Sequence, residues 1–213
     1  MTRIKICGIT NSDDAIAAVD LGADALGFIF AESPRRVEPR AAAQIISRLP
    51  PFVTTVGVFF NQELSAVQSA MSGSGCQVVQ LHGEEPEYYV EALAHWPVIK
   101  ALRVRAAKDI ERLAPYGAAR AFLLDTYVEG KPGGTGQAFD WNIAAEAHRF
   151  KKPVILSGGL SSENVAAALT VVKPHGVDAS SSVESAPGKK DREEMCRFVA
   201  AVRAFDARSA EAK

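Results

Sequence analysis

Two residues stand out for their chemistry. Cys7 ends the apolar run RIKIC directly before Gly8, and Asp125 ends the apolar run AFLLD. Thiolate is the reactive form of cysteine and is favoured by nearby cations. A carboxyl group on an apolar wall has its pKa raised by desolvation and can donate a proton. Together they offer the two halves of acid–base catalysis. Each also has a plainer reading. A lone cysteine in an apolar strand is commonly a small buried hydrophobe, and an aspartate at a strand end can cap the loop that follows. Three Gly- or Ser-rich segments suit a phosphate: Gly133-Gly134-Thr135-Gly136, Gly158-Gly159 and Ser180-Ser181-Ser182. Glycines let the backbone approach an anion, and serines add N–H and hydroxyl donors. A single Gly-Gly makes a tight turn and nothing more, but three such segments favour an anion site. Arg35 and Arg36 form either a solvated basic patch or a bidentate holder for a carboxylate. His82, beside Gly83, reads either as a pocket residue or as a histidine satisfied by a backbone group.

Such residues work only if elements bring them together. Apolar runs predict strands at Arg3–Ile9, Ala25–Phe30, Thr54–Phe60, Val78–His82, Val98–Val104, Ala121–Asp125, Val154–Ser157 and Gly176–Ala179. Amphipathic segments between them predict helices at Ser12–Leu21, Pro39–Leu49, Gln62–Met71, Pro86–His95, Ala107–Leu113, Trp141–Arg149, Ser162–Leu169 and Asp191–Phe205. Ser12 is the expected N-cap of the first helix, and Gly22 ends it. Strands apolar on both faces, alternating with helices, indicate a parallel sheet covered on both sides. Eight such units in 213 residues suggest an α/β fold closed as a single (β/α)8 TIM barrel, one domain spanning 1–213. The competing doubly wound sheet would carry GxGxxG after its first strand, and none follows Ile6.

In a closed barrel the active site lies at the C-terminal ends of the strands. Cys7 and Asp125 then face each other across the mouth, a sensible layout for base and acid on either side of a small substrate. Gly158, Gly159, Ser180 and Ser181 become the expected phosphate cradle, with a short extra helix at the serines. Strand 8 neighbours strand 1, so Lys5, on the inward face of Cys7, is expected to pair with Asp178. Asp178, His82 and Arg35 are counted with the substrate-binding residues. His95, His148 and His175 read as structural, and Cys76 and Cys196 as helix-side packing residues.

Composition bounds the partners. Lys plus Arg number 24 against 25 Asp plus Glu, which lacks the basic excess of a non-specific nucleic-acid binder. No apolar stretch approaches the roughly 20 residues needed to span a bilayer, and the N-terminus does not read as a signal peptide. The cysteines are three and widely spaced, suggesting neither a disulfide framework nor a zinc site. A cytoplasmic monomer acting on a small phosphorylated molecule is expected, without metal. The last residues, RSAEAK, are expected to fray.

The motifs are also specific in combination. KICGIT at 5–10, GFIF at 27–30, SPR at 33–35, VGVF at 56–59, VQLHG at 79–83, LLD at 123–125, GGTG at 133–136, LSGGL at 156–160 and the region from Val183 to Asp191 follow one another in order. Nearly end to end, the chain resembles the phosphoribosylanthranilate isomerase family of tryptophan biosynthesis. The resemblance implies an Amadori rearrangement of N-(5-phosphoribosyl)anthranilate to an aminoketose phosphate, with no cofactor. It implies Asp125 as the acid that protonates the ring oxygen and Cys7 as the base at the sugar C2. It also implies Arg35 on the anthranilate carboxylate and the Gly158-Gly159 and Ser180-Ser181 turns on the phosphate. The loop after the second strand departs from the family pattern, leaving Arg35 and Arg36 in competition. Ser182 replaces a usual glycine, with strain expected if its φ is positive. Other readings on the same scaffold are another sugar-phosphate isomerase, a synthase of the next pathway step that would use lysine and glutamate, a dual-substrate isomerase with two aspartates, or an inactive phosphate-binding barrel.

Overall fold

A computed structural model describes residues 1–125 and 141–211. The loop after the sixth strand, with Gly133-Gly134-Thr135-Gly136, lies outside the described residues.

Eight parallel strands close into a ring: β1 (Arg3–Cys7), β2 (Ala25–Ile29), β3 (Thr54–Phe59), β4 (Val78–Leu81), β5 (Val98–Arg103), β6 (Ala121–Asp125), β7 (Val154–Ser157) and β8 (Gly176–Ala179). β8 pairs with β1, with Lys5 opposite Asp178. Around the ring run α1 (Ser12–Asp20), α2 (Pro39–Ile46), α3 (Leu64–Ser74), α4 (Tyr88–Ala92), α5 (Trp141–Ala145), α6 (Val165–Val172) and α7 (Arg192–Glu211). Two 3-10 helices complete the outer layer, Ala107–Tyr116 and Glu146–Phe150. Among the described residues the (β/α)8 TIM barrel expected from the alternation is present.

Strand residues alternate between two apolar environments, as a period of two demands. Ile4, Ile6, Leu26, Phe28, Phe122 and Leu124 point outward into the large core shared with the helices. Inside the ring, Ile99, Ala101, Ala121 and Leu123 pack on one side, and Val56, Val58 and Cys7 on the other. Two buried charges, Lys5 and Asp178, share that interior.

Several boundaries differ from expectation for identifiable reasons. β1 stops at Cys7 because Gly8 turns to φ 82°, and the amides of Gly8 and Ile9 both donate to the Gly27 carbonyl. The cap of α1 is Asn11, not Ser12; its side-chain oxygen accepts from the Asp14 amide at 2.9 Å. The segment expected as a helix from Ala107 is 3-10 and carries Pro115. The final helix runs on through Arg208–Glu211 instead of fraying there. A short hairpin, β9 (Glu184–Ala186) with β10 (Lys189–Lys190), has no counterpart in the apolar pattern. Cys196 is exposed on α7 and does not pack. Cys76 lies just past α3 and is buried; burial outweighs its hydrogen bond with Ser74 and pushes the thiol up to about 11. His148 donates to the Val172 carbonyl at 2.7 Å, a structural role.

Candidate active site

The C-terminal rim of the barrel encloses a cavity of about 290 Å³. Cys7, Arg35, His82, Asp125, Gly158, Gly159, Asp178, Ser180 and Ser181 all contribute to its lining. The rim thus brings together the thiol, the carboxyl, Arg35, His82 and the turns after β7 and β8, while Arg36 is not among the lining residues. A larger cavity, about 630 Å³, opens at the opposite end of the barrel around Phe52, Ile99 and Ile155. Lys5 and Asp24 line it, and neither Cys7 nor Asp125 does.

Cys7 reaches the rim as the last residue of β1 and is buried. Its register partner is Gly27, whose missing side chain leaves the space the sulfur uses. A Cβ on Gly27 would fall 2.7 Å from Cys7 Sγ and 3.1 Å from Lys5 Nζ. One pleat below, Lys5 Nζ donates to Asp178 Oδ1 at 2.8 Å, the pairing expected from the sequence. Burial pushes the Cys7 thiol up, and Asp178 adds to that push, while Lys5 and Lys190 pull the other way. Burial would discharge Lys5, but Asp178 and Cys7 together overcome it and hold the ammonium above its ordinary range.

Asp125 ends β6 and faces His82, which follows β4. His82 Nε2 lies 3.3 Å from Asp125 Oδ2. His82 Nδ1 lies 2.9 Å from Gln80 Nε2, which has only hydrogens to give. Gln80 and Asp125 thus hold the imidazole from either side, one at each ring nitrogen. One carboxyl oxygen is thereby tethered. The histidine is satisfied by side chains, not by the backbone group the sequence also allowed.

The two adjacent arginines part company. Arg36 bonds exposed Glu38 at 3.0 Å and faces solvent. Arg35 lines the cavity, packed over Gly8, where an added Cβ would meet its Cδ at 2.7 Å. Its guanidinium grips Glu184 in bidentate fashion: Nε lies 2.9 and 3.0 Å from the two oxygens, and Nη2 donates at 2.7 Å. Lys190 Nζ completes the knot, donating to Glu184 Oε1 at 2.8 Å and to the Cys7 carbonyl at 2.6 Å. Burial works to raise the Glu184 carboxyl, but the hydrogen bonds from Arg35 and Lys190 outweigh it and hold the group below its ordinary range.

After β7, Gly158 and Gly159 take φ of 93° and 65°, a region L side chains rarely adopt. Ser180 leads into a short 3-10 helix, Ser181–Val183. Ser182 is not among the residues of positive φ, so the expected strain is absent; its hydroxyl instead donates to the Leu160 carbonyl. That bond fastens the β8 turn to the β7 turn.

Sequence reasoning missed Glu184, Lys190, Gln80 and Gly27. Glu184 and Lys190 sit on a hairpin too short to register as a strand pair. Gln80 had a signal: it shares the inward face of β4 with His82, two residues apart.

Residues 4–201 match the family model described as N-(5'phosphoribosyl)anthranilate (PRA) isomerase. The N-(5'-phosphoribosyl)anthranilate isomerase of Pelobacter propionicus is 49% identical over 200 residues, 93% of this chain and 94% of the relative. The crystal structure of phosphoribosyl anthranilate isomerase from Thermotoga maritima superposes with a TM-score of 0.90 at 43% identity, covering 96% of this chain and all of that one. A second crystal structure of the same enzyme type holds reduced 1-(o-carboxyphenylamino)-1-deoxyribulose 5-phosphate. It matches at 41% identity and a TM-score of 0.86, covering 96% of this chain and 100% of that chain. The chain therefore belongs to the N-(5'-phosphoribosyl)anthranilate isomerase family, as an aldose–ketose isomerase of tryptophan biosynthesis.

Proposed function

We propose that Cys7 is the base and Asp125 the acid of the isomerisation, with the rim turns and Arg35 holding the two ends of the substrate. The single observation that carries this is the shared cavity, which a thiol, a tethered carboxyl and two positive-φ glycines all line. Asp125 gives its proton to the furanose oxygen from the carboxyl oxygen not engaged by His82. The ring opens to an iminium. Cys7 thiolate then takes the C2 proton: the C2–H bond breaks, an S–H bond forms, and the electron pair moves to the iminium nitrogen. The resulting enolamine tautomerises to the ketose. Gly158, Gly159, Ser180 and Ser181 face the phosphate, Arg35 the anthranilate carboxylate, and Asp178 supports the wall beneath Cys7.

The test is turnover of N-(5'-phosphoribosyl)anthranilate, followed by loss of its fluorescence. Proton transfer by a placed group contributes on the order of 10²–10⁴-fold. Cys7→Ala and Asp125→Ala are each expected to cost at least ~100-fold in kcat, with an unchanged circular dichroism spectrum. Wild-type turnover by either variant removes that residue from its role.

We also propose a cytoplasmic setting and a site complete in one chain. Three unpaired cysteines support the reducing compartment. Acid, base, arginine and phosphate turns drawn from a single barrel support the second. No helix among the described residues is long and apolar enough to cross a membrane.

A further inference from the structure

A full ion pair lies buried inside the barrel directly under the thiol. Lys5 and Asp178 are each about 5% exposed or less. The surrounding interior is built from Val56, Val58, Ile99, Ala101, Ala121 and Leu123. Burying two charges costs desolvation that their attraction often fails to repay, and apolar replacements of such pairs are frequently neutral or stabilising. Packing therefore does not explain why the pair is there.

Its placement does. Lys5 and Cys7 are two residues apart on β1 and share the inward face. Gly27, on the neighbouring strand, leaves the gap into which both the sulfur and the ammonium nitrogen lean. We infer that Lys5 is a positioning residue that stabilises the Cys7 thiolate, and that Asp178 is retained to keep Lys5 charged. The inference rests on the reading of Cys7 as base.

The other groups around the sulfur fit that role. Asp178, from β8, opposes the thiolate by its charge, but its oxygens are occupied by Lys5 Nζ at 2.8 Å and by the Ser157 hydroxyl at 3.3 Å. From β10, Lys190 is committed to the Cys7 carbonyl and Glu184. Arg35, beyond β2, is committed to Glu184. His82 and Asp125 stand on the opposite wall and hold each other. Among these, Lys5 is the cation on the thiol's own wall whose ammonium faces the sulfur. The thiol proton leaves to solvent through the open mouth before substrate closes it. Lys5 stays an ammonium throughout, so no proton is gained or lost by the pair.

The experiment is the pH dependence of Cys7 alkylation by iodoacetamide, read at the Cys7 peptide by mass spectrometry, with exposed Cys196 as an internal control. Alkylation reports thiol ionisation whether or not Cys7 is the catalytic base, so it separates this inference from the reading beneath it. In Lys5→Met the alkylation midpoint is expected to rise by at least one pH unit, with the basic limb of kcat/KM following it. Lys5→Arg is expected to restore most of the shift. The double variant Lys5→Met/Asp178→Leu is expected to melt no lower than wild type while keeping the raised midpoint. A wild-type midpoint in any folded Lys5→Met variant overturns the inference. So does failure of the double variant to fold, which would make the pair a support of the barrel instead.

Discussion

At the scale of single residues, the knot of Arg35, Glu184 and Lys190 decides what Arg35 can do. A guanidinium held along its Nε–Nη2 edge by one carboxylate has a fixed plane, and a fixed plane suits bidentate recognition of a second carboxylate. Arg35→Ala is expected to raise KM at least ~10-fold, about the strength of one charge-assisted hydrogen bond, with a smaller change in kcat. Arg36→Ala is expected to stay within about twofold, because its partner Glu38 lies on the surface, where ion pairs contribute little. Steady-state kinetics on the two variants checks the order. The reverse order would hand the role to Arg36. Asp125 and His82 show the same principle on the opposite wall: the imidazole is held between Gln80 at one ring nitrogen and Asp125 at the other, which fixes its plane beside the acid.

At the scale of elements, what matters is how strand ends meet. The β1–β2 contact is closed tightly enough that one hydrogen atom is the largest side chain Gly27 can carry beside Cys7. Gly27→Ala would place its methyl 2.7 Å from the sulfur, well inside the roughly 3.5–4.0 Å separation of unstrained contacts. Turnover is expected to fall by at least ~10-fold while stability falls by about 1–3 kcal/mol, the usual cost of overpacking. Kinetics and thermal melting on the same preparation test this. Normal turnover would show that the sulfur has another place to go. The hairpin β9–β10 is the other decisive element. It carries Glu184 and Lys190 back under the rim, where Lys190 bonds the carbonyls of Cys7 and Ser180 and joins the ends of β1 and β8.

At the scale of the whole molecule, the barrel separates its two faces. The rim holds the site. The far end exposes Phe52 completely, in a backbone conformation of φ 70° that is unusual for a bulky residue. A monomer was expected because the sequence pattern leaves no surplus apolar face, and Phe52 is the residue that tests it. Sedimentation of the wild-type chain is expected to show one chain per particle. Should it show two, Phe52→Ser is the substitution to try, and its turnover is expected to remain unchanged because the site opens at the opposite end. The ends of the chain are fastened near that far face: the Thr2 amide and hydroxyl donate to Asp206 on α7, and Arg203 bonds Asp24.

The alternation of apolar runs and amphipathic segments determined the barrel, because a period of two and a period of 3.6 are written locally and a parallel sheet must be covered on both faces. Strand order then placed Cys7, Asp125, the Gly158-Gly159 turn and the serine turn on one rim, and it paired Lys5 with Asp178. Tertiary structure alone decided which arginine faces the cavity and which residues hold it there. It also decided that His82 is locked by Gln80 and that Gly27 makes the sulfur's space. Those outcomes depend on side chains from segments far apart in the chain meeting at distances of a few ångströms. Register between strands and the path of a short hairpin set such distances, and neither leaves a periodic mark in the sequence.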